Sequence, residues 1–437
     1  MTGTGRTFLL GLAAGVVLAT LAFEFSTQRL EPDLQHYRSV RDFARESFVR
    51  EVSNQELLDH ALHGMLSSLD SYSRYYDRDE SESVARETVG RYVGMGVVFR
   101  GPITDGVVLF PLADSPGKRA GLRVGDQLLE LDGRALADFS EAQIRTLVEA
   151  SEAVPVDMLV EGRDGGQRAL KLRAESIVNP TVRHTRMLDE ERGIGYTSIL
   201  SFSQETPREF DEAFQYLARR DMNALVLDLR ANYGGVLESA VEIARRFIDD
   251  GLIVSTEGRG QPIMLRSDAA EALHVGFPLV VLVDGDSASA SEVLAGALQD
   301  HRAAIITGSR SYGKGMVQTI RRFERAGARA KVTSSYYYSP THRNFERSSH
   351  ADGAEGEHGI YPDLVIEAND GERRAVHAFL DSYGAPLEAL DALAAWEREV
   401  GQPLVGLPPT DKQLEAAVGL LSGERPGPYA VSLKTER

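Results

Sequence analysis

The spacing of hydrophobic residues predicts a helical segment near the start of the chain. Between residues 34 and 69, apolar side chains recur every three to four positions, which is the period of one helix face. Ser53 and Glu56 form the pattern of a capping box, so a second helix is expected to begin just after Ser53. This segment therefore predicts an arm of two helices.

The middle of the chain, from about residue 89, has the pattern of short strands and turns. Gly96–Phe99 and Val107–Phe110 are apolar runs of strand length, and Arg163–Gly166, between two further apolar runs, is typical of a hairpin turn. Ser140 with Gln143 forms another capping box and predicts one helix. We expect a small β-rich module with at least one helix.

Beyond this module, apolar strands alternate with helical patterns. Ala224–Leu229 and Pro278–Val283 are continuous apolar runs, and each is followed by a turn and then by a helix pattern. Strands that are apolar on both sides are typical of a sheet that is covered on both faces, with much parallel pairing. The chain after about residue 371 is mostly helical in pattern.

The uncharged segment 7–23 lies on the border between a signal-peptide core and a membrane span. Because no clean small-residue cleavage site follows it, an uncleaved anchor is favoured over a cleaved signal, and a buried helix is the third interpretation. Both leading interpretations place most of the chain outside the cytoplasm. We expect a cell-envelope protein, periplasmic or otherwise extracytoplasmic, anchored in the inner membrane by residues 7–23.

Composition excludes several kinds of chemistry. The 437 residues include no cysteine, which excludes a disulfide framework, a thiol nucleophile and a metal held by cysteines. The formal net charge of −17 disfavours nucleic acid as a partner, because broad contact with phosphates needs a basic surface. The apolar fraction of 42% is that of ordinary globular proteins, and the length predicts about three domains.

Candidate chemistry begins in the small-residue cluster Asp284–Glu292, which joins a predicted buried strand to a helix. A serine here has backbone N–H groups and the positive end of a helix dipole beside it, as a developing oxyanion requires. Ser287 and Ser291 are four positions apart and share a helix face, whereas Ser289 points roughly the opposite way. A serine-rich helix cap without catalytic function is the alternative.

A serine nucleophile needs a base, and the histidines do not offer an obvious one. Four of the ten lie in polar stretches typical of the surface, namely His301, His342, His350 and His358, and no histidine is expected to pair with an aspartate. Lys314 lies between two glycines, which allow another segment to approach its backbone closely. To act as a base, its pKa must fall from about 10.4 to roughly 7–8, at a cost of about 4 kcal/mol.

Two further features accompany this lysine. If residues 314–318 are extended, Gln318 shares a side with Lys314 and could hold its amine. A phosphate-binding glycine loop or a plain turn is the alternative, although the P-loop pattern itself does not occur. The segment Leu227–Gly235 ends a predicted strand with two glycines whose N–H groups can turn toward a ligand. Taken alone, this segment is interpreted as a tight strand-to-helix turn.

In combination, these segments resemble the C-terminal processing peptidases, also called tail-specific proteases, from about Leu34 to Ile366. The most specific matches are Ser287–Glu292, Gly313–Gln318 and the closing motif Gly359–Asp363. The resemblance implies that the middle serine of the run, Ser289, is the nucleophile and that the lysine 25 positions later is its base. The implied catalytic residues are Ser289, Lys314 and, as support for the lysine, Gln318.

The resemblance also implies an oxyanion hole. The turn Asp228–Gly235 is similar to the family's turn that contributes one backbone N–H, from Gly234 or Gly235, and the N–H of Ala290 is the implied second donor. Tyr233 stands where the family has proline, so this turn is expected to be less rigid.

The β-rich module resembles a PDZ domain. The tetrapeptide Gly94, Met95, Gly96 and Val97 is similar to the loop whose N–H groups receive the C-terminal carboxylate of a peptide. A PDZ domain binds an extended chain end by strand addition, with pockets for the last side chains. In this family, such binding is expected to help open or align the protease site.

The resemblance implies an α/β multidomain fold, with a ClpP/crotonase-like protease core of mixed sheet and helices, a PDZ domain and helical segments at both ends. The expected divisions are an anchor or signal at 1–24, a helical arm at 25–87, the PDZ domain at 88–175, the protease core at 176–370 and a helical region at 371–437.

The implied activity is that of a serine endopeptidase that cleaves near the C-terminus of protein substrates through an acyl-enzyme, with no cofactor and no metal. We also expect a homo-oligomer and a regulatory adaptor or partner protein. The alternative is a catalytically silent, membrane-tethered PDZ scaffold that binds protein C-termini. A hydrolase with a histidine base is a second, less favoured alternative.

Overall fold

The computed structural model describes residues 32–99, 108–112, 114–350, 358–381, 387–401 and 411–423. The described chain forms two compact units, one of residues 32–77 and 320–332 and the other of residues from 78–319 and 333–423. The predicted anchor at 7–23 lies outside the described residues. None of the helices within them has both the length and the apolar composition of a membrane span.

The first unit confirms the predicted pair of helices. It contains α1 (Pro32–Ser47), α2 (Asn54–Ser67) and strand β1 (Arg74–Tyr76). The hydroxyl of Ser53 accepts the N–H of Glu56 at 3.0 Å, but the Glu56 carboxylate pairs with Arg50 instead of returning to Ser53. Only half of the predicted capping box forms, because an arginine offers the glutamate a charged donor.

The second unit begins with the β-rich module, whose elements follow in chain order. They are α3 (Arg78–Val89), β2 (Arg91–Gly94), β3 (Val97–Phe99), β4 (Val108–Pro111), α4 (Pro116–Arg119), β5 (Asp126–Leu131), β6 (Arg134–Ala135), α5 (Glu141–Ala150), β7 (Val156–Glu161), β8 (Gln167–Leu172) and β9 (Glu175–Val178). The predicted helical arm at 25–87 therefore extends past the first unit, since α3 belongs to the second.

Antiparallel pairing organises this module. Its main sheet has the order β3-β4-β5-β7-β8, with β6 beside β5, while β2 pairs with β9. The predicted hairpin is confirmed, with β7 and β8 in register from Val156 opposite Leu172 to Glu161 opposite Gln167. Ser140 and Gln143 form both hydrogen bonds of the predicted capping box, so α5 begins where expected.

The remainder of the second unit alternates strands and helices. Its elements are β10 (Val182–Asp189), β11 (Ile194–Ile199), α6 (Thr206–Ala218), β12 (Ala224–Asp228), α7 (Leu237–Phe247), β13 (Gly251–Gly258), β14 (Ile263–Ser267), β15 (Leu279–Val283), α8 (Ala290–Asp300), β16 (Ile305–Gly308), β17 (Met316–Phe323), β18 (Ala328–Tyr338), β19 (Leu364–Val365), α9 (Asp370–Asp381), α10 (Leu387–Val400) and α11 (Lys412–Leu421). The part of β17 and β18 at 320–332 belongs to the first unit.

A six-stranded sheet with the order β10-β11-β12-β15-β16-β19 forms the core of this region. All pairings from β11 to β19 are parallel, and every residue of β12 and β15 is buried. Leu225 and Leu227 face a core shared with α6, α7 and α8, whereas Val226 faces α11 through Leu414. The prediction of a sheet covered on both faces is confirmed.

The loops that follow β12, β15 and β16 leave the sheet at one edge, because carboxyl ends of parallel strands lie together. These are the three loops that contain the two predicted glycines, the serine cluster and the lysine. The fold therefore gathers segments that are far apart in sequence.

Candidate active site

Asp284 fixes the turn between β15 and α8. Its carboxylate accepts the N–H groups of Asp286 at 3.0 Å and Ser287 at 3.1 Å, and that of Ala231 from the neighbouring loop at 3.1 Å. His377 on α9 approaches the other carboxylate oxygen at 2.6 Å. Burial alone would raise the pKa of Asp284, but the hydrogen bond from His377 and those from the backbone lower it. The carboxylate therefore stays charged and connects two loops.

The structure separates the three serines by what their hydroxyls do. Ser287 donates to the carbonyl of Leu229 at 2.8 Å, and Ser291 donates to the carbonyl of Asn232 at 2.9 Å. Both hydroxyls therefore fasten the serine loop, which comprises residues 284–291 from the end of β15 into the first turn of α8, to the loop after β12. The prediction that Ser287 and Ser291 share a helix face is wrong, because α8 begins only at Ala290 and Ser287 lies in the preceding turn.

Ser289 has an unusual backbone conformation. Its φ of 57° and ψ of −115° are rare for a residue with a side chain, and it caps the N-terminus of α8. Such strain persists only where surrounding structure enforces it, and it recurs where a serine is presented from a sharp strand-to-helix turn. Its side chain interacts with the phenol of Tyr337. Burial, followed by the charge of Glu238, raises the pKa of Tyr337 to about 12, so the phenol is protonated at neutral pH.

The lysine loop comprises residues 309–315 between β16 and β17, and hydrogen bonds of its backbone hold it in place. The N–H of Lys314 donates to the carboxylate of Glu292 at 2.8 Å, and the carbonyl of Gly315 accepts the N–H of Tyr337 at 2.7 Å. Strand β17 begins at Met316, so the predicted extended segment starts just after the lysine. The amide nitrogen of Gln318 donates to the carbonyl of Met316 at 3.2 Å.

The two predicted glycines have different roles. A Cβ on Gly234 would lie 2.8 Å from the Cβ of Ser289 and 3.0 Å from the nitrogen of Ala290, so this glycine touches the serine loop. Its own N–H donates to the side chain of Asn232 at 2.8 Å. Among the described residues, the N–H groups of Gly235 and Ala290 have no hydrogen-bond acceptor, which leaves both able to receive an oxyanion.

Tyr233, which stands beside these glycines, is 67% exposed. It therefore presents an aromatic surface at the rim of the site.

The predicted carboxylate loop lies between β2 and β3. The carbonyls of Met95 and Gly96 accept the N–H groups of Gly117 and Leu112, while the Met95 side chain is buried in the module's core. Gly96 has a φ of 60° and no room for a Cβ. Strand β3 lies at the edge of the sheet within the described residues, which is the position that strand addition requires.

Comparison with known proteins agrees with this architecture. The profile described as peptidase family S41 matches residues 193–366, and a PDZ-domain profile matches residues 110–162. A carboxy-terminal-processing protease of Bartonella bacilliformis is 30% identical over 369 residues, which are 82% of each chain. A carboxyl-terminal-processing protease of Synechocystis is 32% identical over 336 residues, 74% of each chain.

A photosystem II D1 C-terminal processing protease of known structure is 25% identical to this chain. The match covers 80% of this chain and 92% of that one, with a TM-score of 0.43.

Fold and matches define the class of protein, a serine-type peptidase with a PDZ domain. The chain belongs to peptidase family S41 and is similar to its C-terminal processing proteases, so it hydrolyses peptide bonds in protein substrates. The silent scaffold that the sequence left open is therefore not favoured.

Sequence reasoning missed three residues of the site. Glu292 follows Ser289 at the spacing of a capping box, which could have drawn attention to it. Tyr337 and His377 carry no comparable signal, since they come from distant elements. The expectation that no histidine pairs with an aspartate was wrong for His377, because the helix that carries it folds back onto the turn at Asp284.

Proposed function

We propose that Ser289 is the nucleophile and Lys314 the general base of this peptidase. The observation that carries the proposal is that the three serines have different hydrogen-bonding roles. The hydroxyls of Ser287 and Ser291 donate to main-chain carbonyls, whereas Ser289 lies in a strained turn at a helix N-terminus. Its side chain interacts with that of Tyr337 instead. A lysine on an adjoining loop is the basic group that the family resemblance assigns to it.

The proposed reaction uses these groups in the following order. Neutral Lys314 removes the proton of the Ser289 hydroxyl while the oxygen forms a bond to the peptide carbonyl carbon. The N–H groups of Ala290 and Gly235 hold the oxyanion of the tetrahedral intermediate. The C–N bond then breaks, the Lys314 ammonium protonates the departing amine, and an acyl-enzyme remains. Lys314 then removes a proton from water while the water oxygen bonds to the acyl carbon. The bond from that carbon to the Ser289 oxygen breaks, and the Lys314 ammonium returns the proton to Ser289.

Gly234 contributes differently in this scheme. Its N–H is used by Asn232, and its missing side chain permits the close approach to Ser289. Gln318 supports Lys314 from β17, with its amide oriented by the carbonyl of Met316.

Substrate capture is assigned to the PDZ module. The unstructured C-terminus of a protein substrate binds at Gly94–Val97 and adds a strand beside β3, and the neighbouring segment reaches the protease core. We further propose an extracytoplasmic location with an anchor at residues 7–23, a homo-oligomeric assembly and a regulatory partner. The five divisions of the chain stated above are part of this proposal.

The test is cleavage of a protein with an unstructured C-terminal tail. Ser289→Ala and Lys314→Ala should abolish turnover while leaving the fold intact, and Gln318→Ala should reduce turnover. Lys171→Ala removes an exposed lysine whose partner is Asp157 and serves as the control, with activity retained. Persistent turnover by Ser289→Ala or Lys314→Ala would refute the assignment.

A further inference from the structure

One buried carboxylate joins the two loops that carry the proposed catalytic residues. Glu292 lies on the first turn of α8 and is fully buried. Its Oε2 accepts the N–H of Ser289 at 2.7 Å and the N–H of Lys314 at 2.8 Å. Its Oε1 accepts the hydroxyl of Ser311 at 2.6 Å and the N–H of Gly313 at 2.7 Å. All four donors belong to the serine loop or the lysine loop.

We propose that Glu292 is a positioning residue that sets the distance between the nucleophile and its base. Because Oε2 bonds both backbone nitrogens, at 2.7 Å and 2.8 Å, those of Ser289 and Lys314 lie no more than 5.5 Å apart. The inference rests on the proposed roles of these two residues.

A helix cap does not account for this arrangement. A glutamate at the third helical position commonly accepts the N–H of the capping residue, which explains the bond from Ser289. The other three bonds come from residues 311–314, about twenty positions away, and a cap has no need of them. The carboxylate therefore serves the lysine loop as much as it serves the helix.

The ionised form of Glu292 is the one that fits. Two carboxylate oxygens offer about four acceptor positions, and four donors occupy them. If Glu292 were protonated, one of its oxygens would carry a hydrogen and would face an N–H or O–H group, so that two donors would meet. In Glu292→Gln, the NH2 group would likewise face such a donor. Burial raises the pKa of this carboxyl above its usual range, and the bonds from Ser311 and the backbone offset only part of that rise. Replacing the carboxylate by an amide of the same shape is therefore the sharpest perturbation.

Glu209→Gln is the matched control. Glu209 is also buried, and one of its oxygens accepts the N–H and hydroxyl of Thr181 and the N–H of Val182. The same substitution thus disturbs a comparable network that touches neither catalytic loop. Both variants should lower the melting temperature, but only Glu292→Gln should lose catalysis.

The experiment measures kcat and KM for a tailed protein, together with labelling of the serine by a small fluorophosphonate. We expect Glu292→Gln to reduce kcat and the labelling rate by about 100-fold with KM changed less than threefold, because misplacement near 1 Å costs about that much. Glu209→Gln should keep kcat within threefold. Equal kcat in the two variants would overturn the inference.

Two further variants separate the possible failures. Turnover by Ser289→Ala would refute the proposed function itself. If Ser289→Ala is inactive and Glu292→Gln is fully active, only the positioning role is refuted. If Glu292→Gln does not fold, Ser311→Ala removes one of the four donors. It should lower kcat by about tenfold at unchanged KM, and an unchanged kcat would count against the inference.

Discussion

Replacement of Gly234 by alanine tests whether the loop after β12 shapes the site around Ser289. The added Cβ would lie 2.7 Å from the carbonyl oxygen of Ala288 and 2.8 Å from the Cβ of Ser289. Ordinary van der Waals contact begins at 3.4 Å, so the overlap with the carbonyl is about 0.7 Å. One contact is to a backbone oxygen and the other is to the Cβ of Ser289, and neither atom can move away by rotation of a side chain. The serine loop must shift by several tenths of an ångström.

The size of the effect follows from that shift. A displacement approaching 1 Å costs about 100-fold in rate, so Gly234→Ala should lower kcat by about 10- to 100-fold, or roughly 1.4–2.7 kcal/mol of activation free energy. Gly234 also has a φ of 98°, where a side chain adds about 1–2 kcal/mol of backbone strain. That second cost lowers the free energy of unfolding.

Gly276→Ala separates the two costs. Gly276 has a φ of 75°, and no atom lies within 4 Å of the position that an added Cβ would occupy, so alanine there adds strain without a clash. The assay is cleavage of a tailed protein, with unfolding in urea measured on the same samples. Gly234→Ala should lose at least as much stability as Gly276→Ala, because it adds a clash to the strain, and only Gly234→Ala should lose kcat. Wild-type kcat in a folded Gly234→Ala protein would refute the reasoning.

Three further outcomes follow from buried polar groups. Ser287→Ala removes the acceptor of the Asp284 N–H and one of the two donors to the carbonyl of Leu229, which still accepts the N–H of Asn232. Urea unfolding should therefore show a loss of about 1–3 kcal/mol. Fluorophosphonate labelling should persist, and lost labelling in the folded variant would contradict this. Burial lowers the pKa of His184 to about 4, so its stabilising contribution is present above pH 6.5 and lost as the pH falls toward 4. Between about pH 7.5 and pH 5 the loss should be about 2 kcal/mol, and it should vanish in a folded His184→Gln protein. The hydrogen bond with Asp284 raises the pKa of His377, so this pair stabilises the fold below pH 6.5 and the contribution is lost as the pH rises through the folded pKa. His377→Gln should therefore cost more stability at about pH 6 than at about pH 9, and equal losses would argue against the pair.

Much of the fold was predictable because local patterns dominate it. The apolar runs that became β12 and β15 are buried along their whole length, and such runs have few alternatives to a covered sheet. The hairpin of β7 and β8 and the cap at Ser140 rest on contacts within a few residues, which sequence patterns encode directly.

Long-range polar contacts were not predictable. Arg230 is 1% exposed and is bonded by Asp228, two residues away, but also by Asp411 on the approach to α11. Nothing in the local sequence around Asp411 indicates that partner. The same holds for the pairing of His377 with Asp284, since only the folded sheet and helices bring these segments together.

The site was predictable in its residue types but not in its support. Ser289 and Lys314 stand out because small residues and glycines surround them. The role of Glu292 depends on a loop that returns after strand β16, so its capping-box spacing reveals only one of its four hydrogen bonds.

Peptide mapping by mass spectrometry after fluorophosphonate treatment is the most direct test of Ser289 as the nucleophile. We expect one adduct on Ser289 in the wild-type protein, none in Ser289→Ala, and retention of the adduct in Ser287→Ala. An adduct on another residue in an active preparation, or cleavage that survives complete labelling of Ser289, would contradict it.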